Sequence, residues 1–329
     1  MKKRKLKKNV KKFITISLII LVVLILIITS IIKKINYIHS YDYKLLKIGY
    51  SKNEITEIKK LDDNDINILL NKKYNKLIVK FIKQKYFIFS NLDSYLKFYQ
   101  ESDNDDLSYT ISMVNVKANY DFYDKKVVTK TNIKDSNLML VNKYNYLTKD
   151  YVPTDLVDVK NYYAYGENKI KKEVYDSFLK MWNDAKAENL NLIITSAYRG
   201  YDYQEKLWNS YASNSGEEWA DSVAARAGFS EHQTGLTLDI VTYGTKMNNF
   251  EETNEFKWLS KNAYKYGFIL RYPKGKEKIT GYSYESWHYR YVGVDAAKKI
   301  YNENITFDEY YAYYINNKKE SWFLFIMRY

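Results

Sequence analysis

The sequence predicts an α+β fold, carried behind one membrane-spanning helix and a small, mainly helical module. Three observations predict it. Residues 13–32, FITISLIILVVLILIITSII, run for twenty positions without a charge. Between residues 43 and 99 apolar side chains recur at helical spacing, as in Ile55, Ile58 and Leu61 and again in Leu92, Tyr95, Leu96 and Tyr99. Beyond Lys169, helix-period stretches alternate with short strand-like runs, the order expected of helices and strands packed around one sheet.

The apolar run comes first in the chain. At about 1.5 Å of rise per residue it spans the roughly 30 Å hydrocarbon core of a bilayer. Ile31 and Ile32 lead straight into Lys33 and Lys34 with no small-residue cleavage pattern, so the run is expected to be an uncleaved signal anchor. The preceding segment 1–12 holds eight Lys or Arg and no acid. That flank stays on the cytoplasmic side, which places the rest of the chain outside the cell as a single-pass membrane protein. Residues 1–34 contain ten basic side chains, so the net charge of +13 leaves only 13 − 10 = +3 for the remainder. The basicity belongs to the anchor, and a nucleic-acid partner is not expected.

Residues 35–100 are expected to form a small helical module or stalk, with Ser51 and Glu54 at capping-box spacing. The polar run QESDNDDLS, residues 100–108, reads as a linker; it lacks the glycine and distal glutamate of a calcium loop. A second domain is expected over 108–315. TISMVNVKANYDFY and NLMLVNKYNYL read as strands or extended segments. Ile170, Val174, Met181 and Ala185 mark one face of a helix ending near Asn189, and LNLIITSAYR follows as a buried strand. Helices are expected from Tyr201 to Tyr211 and from Glu217 to Arg226, the latter closed by Gly228. LTLDIVTY, FILRY and HYRYVG read as strands, with the helix NEFKWLSKNAYKY stopped by Gly267. Residues 316–329 form an apolar tail that fits either the core or the membrane.

With no cysteine in the chain, an exported domain of this size folds without disulfides, and any metal takes nitrogen and oxygen ligands. Only three histidines are present, His39, His232 and His288. His39 lies beside the membrane with no partner pattern near it. On the strand LTLDIVTY, Leu236, Leu238 and Ile240 point into the core while Asp239 points the other way with Thr237 and Val241. Gly235 allows a turn that folds His232 back over Asp239. Glu285 and His288 face opposite sides of a straight strand, so they share a site only if the chain bends between them. With that bend, His232, Asp239 and His288 supply three ligands to a tetrahedral zinc with one open position, and Glu285 remains as a base. Taken singly, each residue also fits a packed or surface role.

The stretches SAYRGYDYQ, SEHQTGLTLD and ESWH together resemble the signature of VanY-type D-alanyl-D-alanine carboxypeptidases, zinc peptidases of the bacterial cell wall. The similarity extends over about Val114 to Tyr314 and is dense from Ser196 to Gly293. The resemblance implies a hedgehog/DD-peptidase-like fold and one Zn²⁺ per chain held by His232, Asp239 and His288. It also implies Glu285 as catalytic base, Arg199 as the arginine beside the scissile bond, and Ser230 and Gln204 at positions that hold the substrate's carboxyl end. Ser286 stands where the family usually has proline, Gly200 where serine is common and Tyr264 where histidine is common; none of these removes a ligand or the base. The implied function is a hydrolase that removes the terminal D-alanine from peptidoglycan stem peptides at the outer face of the membrane. A cross-link endopeptidase and a non-catalytic wall-binding module on the same scaffold are the alternatives, the latter disfavoured because all four metal and base residues are present.

Overall fold

A computed structural model describes residues 2–316, and the tail expected at 316–329 lies outside it except for Asn316. The chain divides into two compact units, one ending at Leu92 and the other beginning at Asp93.

In the first unit, α1 (Lys2–His39) is long and apolar enough over Lys7–His39 to cross a membrane. Ser40 ends it and caps α2 (Tyr41–Ile48) by accepting the Tyr43 N–H. Three short helices follow: α3 (Lys52–Ile58), α4 (Asp63–Leu69) and α5 (Lys76–Ile82). Each begins at a polar side chain that accepts a first-turn N–H, namely Ser51, Asp62 and Asn75. The Ser51–Glu54 capping box forms as its spacing predicts, with the Ser51 N–H donating to Glu54 Oε2 at 2.8 Å. Ile55, Ile58, Ile66, Leu69, Ile78 and Phe81 are buried.

The second unit begins with α6 (Leu92–Glu101) and α7 (Leu107–Asn115). The polar run at 100–108 is therefore the turn between two helices. Part of the segment expected to be extended, TISMVNVKANYDFY, is helical instead. Asp106 accepts the N–H groups of Ser108 and Tyr109 and nucleates α7, and Thr110, Ile111, Met113 and Val114 are buried at helical spacing. The β-branched residues of that stretch are tolerated because their burial, not their intrinsic preference, decides the period.

Two minor pairings follow, β1 (Thr129–Lys130) with β2 (Asn145–Tyr146) in parallel, and β3 (Leu156–Asp158) with β4 (Lys169–Lys171) antiparallel. The main sheet has the order β5-β6-β8-β7 and is antiparallel throughout. Its strands are β5 (Ile193–Ser196), β6 (Thr237–Val241), β7 (Phe268–Leu270) and β8 (His288–Tyr291). The helix α8 (Lys172–Ala187) buries Val174, Phe178, Met181 and Ala185 in the same core as Ile193, Leu238 and Ile240. Every residue of β6 is buried, so the expected alternation is masked: Val241 joins the core, while Asp239 enters a polar site.

Helix α9 (Tyr201–Ser215) runs directly into α10 (Glu217–Val223) through Gly216. α10 stops three residues short of the expected Arg226 because Ala224 is extended, at φ −146° and ψ 142°. Helix α11 (Asn254–Asn262), capped by Thr253, continues as a 3-10 turn to Tyr266 and ends at a left-handed Gly267, as expected. The short α12 (Glu277–Thr280), α13 (Val294–Glu303) and α14 (Phe307–Tyr310) complete the unit.

Candidate metal centre and its cavity

Sheet register brings the first two residues together. Asp239 on β6 and His288 at the start of β8 are direct cross-strand partners, and Asp239 also sits opposite Ser196 at a bulge in β5. Directly opposed side chains on one face lie about 4.5–5.5 Å apart at Cβ. His288 Nδ1 is 3.3 Å from Asp239 Oδ1.

His232 reaches the same point from a 3-10 turn, Glu231–Thr234, that precedes β6. The turn closes on Gly235 at φ +66°, where a Cβ would lie 2.9 Å from Leu156 Cδ2 and 3.0 Å from Lys171 Cγ. Glycine is needed there on both conformational and steric grounds. His232 Nε2 lies 3.4 Å from Asp239 Oδ2. Its Nδ1 is 2.6 Å from the Ala197 carbonyl. A carbonyl only accepts, so Nδ1 carries the proton and Nε2 keeps a free lone pair toward Asp239.

The bend demanded between Glu285 and His288 is present. Glu285 lies outside β8, Ser286 and Trp287 form a turn, and the His288 N–H returns to the Glu285 carbonyl at 3.4 Å. The Glu285 N–H donates to Tyr272 O at 3.2 Å, which anchors the bend; Ser286 is buried. Glu285 Oε2 thereby comes within 3.3 Å of His288 Nδ1.

One ligand atom from each of His232, Asp239 and His288 falls within a set spanning no more than 4.8 Å. His232 Nε2 and Asp239 Oδ1 are buried without a hydrogen-bond partner. The unpaired His232 nitrogen and Asp239 oxygen, converging with His288 Nδ1, suit a zinc ion with an open fourth position. The electrostatics agree with the free lone pair on His232: burial, and then the Arg199 charge, push its imidazole down to about 4. Burial raises the proton affinity of the Glu285 carboxylate, partly countered by His288. Burial opposes the charge of Asp239, but the two imidazoles hold its carboxyl well below the usual range.

All seven residues singled out from the sequence line one cavity of about 250 Å³. Arg199 follows β5, and its Nη2 is 4.0 Å from Asp239 Oδ2 while its Nε is buried and unpaired. Ser230 is buried at the entrance to the His232 turn. Gln204 on α9 donates through Nε2 to Ala225 O at 2.7 Å and leaves Oε1 unpaired. In that orientation it offers the cavity an acceptor, so binding a carboxylate would require the amide to turn over. His39 lies in α1, in the other unit.

Sequence reasoning missed two layers. Tyr272, Tyr282 and Trp287 also line the cavity, with the Tyr272 ring centroid 4.7 Å from that of His288. Behind the site, Glu231 is fully buried with Arg271 and Arg290. Strand alternation gave a usable signal for Arg290, two residues after His288 on the same face of β8. Glu231 stood next to His232 in a stretch already singled out.

A family model described as VanY, D-alanyl-D-alanine carboxypeptidase, matches residues 167–294. The chain is 44% identical over 181 residues to YodJ of Bacillus subtilis, a match covering 53% of this chain and 66% of that protein. It is 35% identical over 198 residues to a D-alanyl-D-alanine carboxypeptidase of Enterococcus faecium, covering 57% of this chain and 62% of the relative. The chain thus spans just under two thirds of the length of these two relatives. It covers 95% of VanXYC of Enterococcus gallinarum, a bifunctional D-Ala-D-Ala dipeptidase and carboxypeptidase, at 30% identity over 188 residues and 54% of this chain. Among solved structures, the LdcB LD-carboxypeptidase superposes with a TM-score of 0.54 at 40% identity, covering 59% of this chain and 94% of that one.

Proposed function

The chain belongs to the VanY family of D-alanyl-D-alanine carboxypeptidases, and on that premise we propose that it is a zinc-dependent carboxypeptidase releasing the terminal D-alanine of peptidoglycan stem peptides. The observation that carries this reading is the convergence of the unpaired His232 Nε2 and Asp239 Oδ1 with His288, in a cavity that also holds Glu285 and Arg199. His232, Asp239 and His288 would hold one zinc. Zinc supplies Lewis acidity to the scissile carbonyl and to the attacking water when it is bound.

The rest of the chemistry falls to this chain's own side chains. Glu285 takes a proton from the water as the new C–O bond forms. It returns that proton to the departing amine as the C–N bond breaks, so that the nitrogen leaves as a neutral amine and the Glu285 carboxylate is regenerated; the proton of the newly formed carboxylic acid then passes to the amine, giving zwitterionic D-alanine and a stem carboxylate. Its raised proton affinity favours accepting the proton. Arg199 pairs its fork of donors with the developing oxyanion or with the terminal carboxylate. Ser230 and Gln204 line the end of the cavity assigned to the terminal residue. In the same reading the domain has the hedgehog/DD-peptidase-like fold, 35–100 is a stalk, and 13–32 of α1 anchors the enzyme with its catalytic domain outside the membrane.

The test is amino-acid release by the purified full chain from stem pentapeptide, tetrapeptide and cross-linked dimer. Zinc-dependent release of D-alanine from a linear stem supports the proposal. Cleavage of the cross-link alone makes the protein an endopeptidase, and no cleavage of any substrate by zinc-loaded protein refutes the reading.

A further inference from the structure

We propose that Glu231 is a positioning residue for His288, its free carboxylate oxygen receiving the ring N–H at Nε2 so that Nδ1 faces Asp239. The inference rests on the reading of His288 as a metal ligand.

Glu231 and His232 are neighbours that serve opposite sides of the same centre. His232 enters the cavity from the 3-10 turn, while Glu231 lies behind His288. Glu231 Oε1 accepts from Arg271 Nε at 2.8 Å and from Arg290 Nη1 at 2.9 Å. Arg271 also donates through Nη1 to Asp308 Oδ2 at 2.6 Å, and Arg290 through Nη2 to the carbonyls of Asn137 and Met139 at 3.0 and 2.9 Å. Arg271 belongs to the segment after β7, Arg290 to β8 and Asp308 to α14. The glutamate is thus held by two arginines from different segments, each fixed in turn by further acceptors, and the buried group of two arginines and two acids sums to zero charge.

A glutamate present only to neutralise the arginines would engage both oxygens, since two guanidinium groups carry donors to spare. Here Oε2 is buried and has no hydrogen-bond partner, and the same is true of His288 Nε2. The two orphaned atoms face each other at 3.8 Å. A closure of under an ångström makes a charge-assisted hydrogen bond. That bond assigns the ring: the proton sits on Nε2, and the lone pair on Nδ1 points to Asp239 Oδ1 at 3.3 Å. His232 is fixed in the opposite tautomer, its Nδ1 proton held by the Ala197 carbonyl and its Nε2 lone pair left for the site. A carboxylate behind a ligating imidazole raises its basicity and fixes its tautomer, and loss of such a partner typically weakens metal binding about 10- to 100-fold.

The test uses full-length protein in detergent, with ring-¹⁵N histidine and bound zinc. With three histidines in the chain, His288→Ala identifies the His288 signals by their loss. The wild type is expected to show His288 bound through Nδ1, with a downfield, slowly exchanging proton on Nε2. In Glu231→Gln that proton should move upfield and exchange faster, the His232 signals should stay, and zinc affinity should fall about 10- to 100-fold. Should Glu231→Gln fail to fold, Glu231→Asp keeps the charge beside the arginines but retreats from His288, and the same two changes are expected. A folded variant with unchanged zinc affinity and an unchanged Nε2 proton overturns the proposal, as does wild-type His288 bound through Nε2. Undiminished zinc binding by His288→Ala instead overturns the ligand reading itself, and this proposal with it.

Discussion

Replacing Glu285 by glutamine separates the roles of base and ligand at this site. The substitution keeps the side chain's length and its capacity to accept a hydrogen bond, but it cannot take a proton from water. Glu285 Oε2 lies 3.3 Å from His288 Nδ1, and the side chain is only 12% exposed. Few waters can therefore replace its carboxylate as proton acceptor. General-base assistance is worth about 10²- to 10⁴-fold, equivalent to about 2.7–5.4 kcal/mol of barrier. The rate of D-alanine release by Glu285→Gln should fall by that factor with the zinc content unchanged. The assay pairs a D-amino-acid oxidase readout with metal analysis of the same sample. Wild-type turnover in the variant refutes Glu285 as the base. Loss of zinc makes it a ligand and requires the site to be redrawn.

Three further outcomes are expected. Arg199→Ala should retain zinc and lose about 10²- to 10³-fold in rate, and Arg199→Lys should recover little because an ammonium does not reproduce a planar fork; wild-type rates in either would remove Arg199 from the mechanism. Burial pushes the Lys143 ammonium down from 10.5 to about 8, so between those values the unfolded chain binds more protons than the folded one and stability gains up to about 1.4 kcal/mol per pH unit as pH rises. The unfolding free energy of wild type relative to Lys143→Met should accordingly climb from pH 8 to 10 and stay flat below that window; a flat difference throughout contradicts the burial of a charged lysine. For topology, single cysteines placed in this cysteine-free chain near residue 105 and near residue 5 should be labelled by an impermeant reagent in whole cells at the first position only, and the reverse pattern would invert the orientation.

Much of the site was legible because its chemistry is concentrated in rare letters. Two of the three histidines, one aspartate on an alternating strand and one glycine sufficed to propose a meeting point, and register supplied it: Asp239 and His288 are opposed on β6 and β8. The bend at Glu285 could be required from the sequence but not observed there, since what holds it is a backbone bond to Tyr272, thirteen positions away. The Glu231, Arg271, Arg290 and Asp308 group was illegible for a similar reason. Charged residues read as solvated until three distant segments are known to enclose them. The expectation of extended structure around Ile111 failed where local composition favoured a strand but the Asp106 cap and burial favoured a helix. Along β6 the two-residue period was blurred because a central strand is covered on both faces.

Zinc-edge anomalous diffraction from crystals of the zinc-loaded protein reads out directly whether His232, Asp239 and His288 form a metal centre. One peak per chain is expected, within bonding distance of His232 Nε2, His288 Nδ1 and an Asp239 carboxylate oxygen, with Glu285 outside that distance. A peak elsewhere, a bond to Glu285, or no zinc at these three residues would contradict that assignment.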